Sequence, residues 1–144
     1  MSLKNYLSVL LIGALIVLTA CKKNKKNETP APVTQEEALQ VELAGVVAGK
    51  ANVAMDSTFT FQVKVTSKVP DKGVKITLNV ATDPGGIPLA QDDVANATGN
   101  VINITLKHLK EVKTYKVTVT LASLGNTANI ATPLEFLITN KSGS

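Results

Sequence analysis

A chain of 144 residues has room for one ordinary domain. With 44% hydrophobic but only 3% aromatic residues, its core must be built from Val, Ile, Leu and Ala. The formal charge of +4 is unevenly placed: residues 22–28 hold four lysines against one glutamate, and from Pro30 onward ten lysines balance ten acids. The chain has no arginine, the side chain best suited to bidentate phosphate and base contacts, so nucleic acid is excluded as the expected partner. A single cysteine, Cys21, rules out an internal disulfide, and one histidine, His108, leaves no Cys/His cluster for zinc.

The N-terminal stretch MSLKNYLSVLLIGALIVLTAC begins with a positive charge at Lys4. It continues uncharged and mostly apolar over residues 6–20, then closes on the small residues Thr19 and Ala20. That run is short of the roughly 20 residues a spanning helix needs and suits the core of a signal peptide. Leu18-Thr19-Ala20-Cys21 resembles the lipobox of bacterial lipoproteins, with Leu at −3, a small residue at −1 and the invariant cysteine. The resemblance implies cleavage after residue 20, a diacylglyceryl group on the Cys21 sulfur, and attachment to a membrane through that lipid. Two or more acyl chains hold firmly where one gives only marginal binding.

Residues 21–34 then read as the lipidated cysteine and a flexible lysine-rich tether. Its lysines are either solvated or in contact with anionic headgroups. Lysines after the cysteine also differ from the acidic residues that tend to mark surface export in Bacteroidetes lipoproteins. The expected location is therefore the outer membrane, facing the periplasm, with the cell surface as the alternative.

From residue 35 to 144 one domain is expected. Thr34-Gln35-Glu36-Glu37 fits a helix capping box. The alternation that follows, Leu39-Gln40-Val41-Glu42-Leu43, predicts a strand over residues 38–44, with a helical turn as the rival reading. Further alternating runs predict strands at 59–66, 74–80, 102–107, 115–121 and 134–139. Val69-Pro70-Asp71-Lys72-Gly73 and Asp83-Pro84-Gly85-Gly86 punctuate them as turns, and Pro133 places the last run at a sheet edge or at its own beginning. Strands with one apolar face each must bury it against another sheet, so the expected fold is all-β, an antiparallel β-sandwich of about seven strands.

Leu109 through Val119, a Leu followed after five residues by Tyr115-Lys116-Val117-Thr118-Val119, resembles the approach to strand F of fibronectin type III and related immunoglobulin-like domains. The resemblance implies an immunoglobulin-like sandwich and gives Tyr115 the role of a tyrosine corner. Glu111-Val112 stand where such domains usually carry Pro-Gly. The stretch from Ser57 to Lys141 is also similar to immunoglobulin-like domains of Bacteroidetes lipoproteins, which implies no defined activity.

Chemistry-bearing residues are sparse. His108, beside Lys107 and Lys110, lacks a nucleophile elbow and reads as a surface turn residue, so no enzymatic activity and no cofactor are expected. Asp83, Asp92 and Asp93 fall in one interstrand region and offer loop oxygens of the kind calcium uses, but at a spacing that equally suits backbone turns. Asp56-Ser57-Thr58 fits a short O-glycosylation motif of Bacteroidetes with Ser57 as acceptor, and equally a turn opening the next strand. The expected function is display of a non-enzymatic sandwich for adhesion, assembly or accessory binding to a protein partner. The alternative is a small glycan- or ligand-binding lipoprotein, against which stands the placement of Phe59, Phe61, Tyr115 and Phe136 on core faces, leaving no aromatic platform for a sugar.

Overall fold

A computed structural model describes residues 35–143; the signal peptide, Cys21 and the tether expected from the sequence lie outside them. Seven strands follow in chain order: β1 (Val41–Ala44), β2 (Ala51–Ala54), β3 (Phe59–Val65), β4 (Val74–Thr82), β5 (Val101–Leu106), β6 (Lys113–Ser123) and β7 (Leu134–Asn140). They form two sheets, one ordered β1-β3-β5 and the other β2-β7-β6-β4. The partition is that of an immunoglobulin-like sandwich, with strands B and E (β3, β5) in one sheet and C, F and G (β4, β6, β7) in the other.

Period-two alternation drives this arrangement. In β5 Ile102, Ile104 and Leu106 are buried while Val101, Asn103 and Thr105 are exposed, and in β6 every second residue from Tyr115 to Ser123 is buried. The inward sets interdigitate as one apolar core, mostly aliphatic. Phe61 of β3 and Phe136 of β7 meet edge-to-face across the two sheets, ring centroids 4.9 Å apart. Among the described residues, no buried side-chain nitrogen or oxygen lacks a hydrogen-bond partner.

Two local expectations are corrected. The sheets are not wholly antiparallel, because β2, a strand the alternation does not single out, runs parallel to β7 with Ala51 opposite Leu137. Residues 35–40 form no helix, and the first strand begins at Val41 instead of residue 38. The carboxylates that fit a capping box serve other donors: Glu37 Oε2 accepts from the Lys68 N–H at 3.1 Å, and Glu36 Oε2 accepts from Asn129 Nδ2 at 3.2 Å. Pro133 stands just before β7, at the beginning of a strand that is flanked by β2 and β6.

Gly73 closes the β3–β4 turn, its N–H donating to the Pro70 carbonyl at 2.8 Å. Its φ of +85° and the close approach of the neighbouring chain both demand glycine, since a Cβ there would sit 2.5 Å from the Ala97 carbonyl oxygen.

Candidate functional site

The ends of β3 and β6 and the starts of β1, β4 and β7 bring three segments together at one end of the sandwich. These are the incoming residues 35–40, the β3–β4 loop and the β6–β7 loop. Leu124 N–H donates to the Gly73 carbonyl at 3.0 Å, which ties the two loops together. Asn129 ties the incoming chain to them: its Oδ1 accepts from the Leu39 N–H at 2.8 Å, and its Nδ2 donates to the Glu37 carbonyl at 2.9 Å.

Between these segments lies an open groove of about 360 Å³ lined by Glu36, Glu37, Lys68, Asp71, Lys72 and Gly125. A side chain at Gly125 would meet the Glu36 carboxylate. Lys68 and Asp71 form an exposed ion pair at 3.4 Å. Both signs of charge line the groove, with no serine or cysteine nucleophile and no histidine among its lining residues. The arrangement suits polar recognition by loops on a rigid scaffold.

The residues singled out from the sequence fall elsewhere. Tyr115 is buried, and its phenolic oxygen accepts from the Lys110 N–H five residues upstream at 3.0 Å, the bond that defines a tyrosine corner. His108 is exposed at the start of the β5–β6 loop with φ +61°, a left-handed turn position. Asp92 is engaged by Lys107 at 2.6 Å, and that hydrogen bond with its charge holds the Asp92 carboxyl below its ordinary value. Asp83 and Asp93 do not join it: no group of three His, Cys, Asp or Glu among the described residues is placed to hold a metal. Ser57 is exposed in the β2–β3 turn, where Asp56 Oδ1 accepts from the Thr58 N–H at 2.6 Å and from its hydroxyl at 2.7 Å. Those two bonds, the hydroxyl's first, lower the Asp56 pKa. Phe61, Tyr115 and Phe136 are buried and Phe59 packs against the core.

Three residues carry structural roles that the sequence does not single out as sites. Asn129 is one. Gln91 is another: its side-chain amide accepts from the Lys107 N–H at 2.8 Å and donates to the Lys107 carbonyl at 2.8 Å, as a neighbouring strand would. Val112 is the third, held at φ +53° with 71% of its surface exposed. Of the three, Val112 alone carries a sequence signal, since it is one of the two residues that stand in place of the Pro-Gly of the domains this stretch resembles. No family model and no curated protein matches this chain.

Proposed function

We propose that the chain is a lipid-anchored protein of the cell envelope that displays a non-enzymatic β-sandwich for adhesion, assembly or accessory binding. The lipid on Cys21 fixes it to a membrane, expected to be the outer membrane on its periplasmic side, and raises its effective concentration toward partners there. The observation that carries the binding role is the groove between residues 35–40 and the two loops, lined by Glu36, Glu37, Lys68, Asp71 and Lys72. Charged side chains of both signs on loops favour a polar protein partner over an apolar ligand.

Two measurements test this reading. Cys21→Ser abolishes acyl labelling and leaves unprocessed precursor; normal processing and unchanged membrane association would overturn the anchor. Reversing groove charges with Lys68→Glu and Lys72→Glu together removes co-purification of whatever partner the membrane-held chain captures. A charge reversal at Lys113, where β6 begins at the opposite end of the sandwich, leaves capture intact. Equal capture by the unaltered chain and both variants would overturn the groove as the binding site.

A further inference from the structure

We propose that β5 is a self-pairing edge, through which two copies of this chain join their β1-β3-β5 sheets antiparallel about a two-fold axis at Asn103. The direction of the backbone groups is fixed by the pairing of β3 with β5. Val65 N–H donates to the Asn100 carbonyl at 2.8 Å, in the register that sets Phe61 opposite Ile104. Alternation along an antiparallel ladder then turns residues 100, 102, 104 and 106 toward β3, and the N–H and C=O groups of Val101, Asn103 and Thr105 toward the open edge. The paired hydroxyls of Thr60 and Thr105 at 2.9 Å, and Gln62 Nε2 donating to Asn103 Oδ1 at 2.9 Å, are the close side-chain approaches expected of the intervening non-hydrogen-bonded pairs.

The β4 edge is met by Ala97 at Val74, by Leu89 at Val80 and by Ile87 at Thr82. On the β1 side the Leu39 N–H, just before the strand, is taken by Asn129, which leaves only Val41 and Leu43 as a shorter open stretch. On β5 the Gln91 amide occupies Lys107 and stops there, and no described residue bonds the backbone of Val101, Asn103 or Thr105 on that side. Nor does β5 carry the lysine, proline or bulge with which edges are usually guarded.

What remains open is a window symmetric about Asn103, and this selects a second copy as the occupant. In the antiparallel register centred there, Val101 of one copy faces Thr105 of the other and Asn103 faces Asn103, each pair exchanging two backbone bonds. Lys107 falls opposite Gly99, so no charge meets a like charge, whereas like charges directly opposite are destabilising. Asn103 Oδ1 is engaged by Gln62, which leaves its Nδ2 to donate across the axis. A shift by two residues in one direction would set Lys107 opposite Val101 and demand backbone groups that Gln91 already holds; in the other it would set Thr105 opposite Gly99, beyond the end of β5, and lose strand pairs.

The test uses the full chain in mild detergent with Cys21→Ser, so that only introduced thiols are present. Hydrogen-bonded antiparallel partners lie about 5.5 Å apart at Cα, within the span a disulfide bridges. Asn103→Cys is expected to oxidise to a covalent dimer at least tenfold faster than Asn79→Cys on β4. Val101→Cys and Thr105→Cys stay slow singly and cross-link when combined. Sedimentation of the thiol-free chain should show a dimer that both Asn103→Pro and Val101→Lys convert to monomer. A monomer throughout, a dimer that survives Val101→Lys, or Asn79→Cys cross-linking as fast as Asn103→Cys overturns the proposal.

Discussion

The backbone N–H of Leu39 and the side-chain oxygen of Asn129, ninety positions apart in sequence, meet at 2.8 Å. The same amide reaches Glu36 and the Glu37 carbonyl with its nitrogen, so one side chain holds the incoming segment against the β6–β7 loop. Asn129→Ala should release residues 35–40 and speed amide exchange at Leu39 at least tenfold, with exchange at Val117 and Val119 in β6 unchanged. Exchange at Leu39 that stays slow in the variant would mean that burial of its side chain, not the clip, holds the segment.

Val112 is the clearest local conflict between residue and backbone. A left-handed conformation costs an L-residue about 1–2 kcal/mol, and the exposed side chain gains little packing in return. Val112→Gly should raise stability by up to about 1 kcal/mol, after the larger unfolded-state entropy of glycine is set against the relieved strain. Val112→Ala keeps the Cβ and should show no such gain. Urea titration distinguishes the two, and equal effects of Gly and Ala would refute the strain account.

Tyr115→Phe keeps the ring in the core and removes only the oxygen that accepts from Lys110. The lost bond should cost about 1–2 kcal/mol, seen as a lower urea midpoint with an unchanged slope. An unchanged midpoint would show that water replaces the phenol at no cost.

Three exposed carboxylates titrate below their ordinary values: Asp92 through its hydrogen bond from Lys107, Glu135 through its hydrogen bond from Lys116, and Asp56 through Thr58. Because the folded values are depressed, any stability they add is complete above the ordinary values of 3.8 and 4.5 and is lost as pH falls through the lower folded values. Carboxyl carbon titrations should place all three midpoints low. Lys107→Met should raise the Asp92 midpoint and leave Asp56 where it was; a joint shift of both would point to overall charge and not to the pair.

Six of the seven strands are legible in the sequence because each repeats an apolar–polar pair often enough to declare a period. β2 escapes because Ala51-Asn52-Val53-Ala54 is too short and too weakly apolar for the pattern to register, and its parallel pairing with β7 depends on where the preceding loop carries the chain. The Glu36 and Glu37 spacing suggests a helix start, since spacing alone does not show that Asn129 and Lys68 supply donors from loops far along the chain. The groove is invisible for the same reason: its lining comes from three separated segments, none carrying a motif by itself. Val112 is legible as a departure, and its geometry shows that the loop retains the backbone shape that glycine would favour even though another residue stands there.

The chain has no tryptophan and two tyrosines, of which only Tyr115 belongs to the described domain. Its ring is buried and its oxygen is bonded to the neighbouring loop, so the tyrosine band in the near-ultraviolet dichroism of the folded domain comes from one fixed chromophore. The sandwich thus carries its own optical reporter, sensitive to the packing of the core and the closure of a single loop at once.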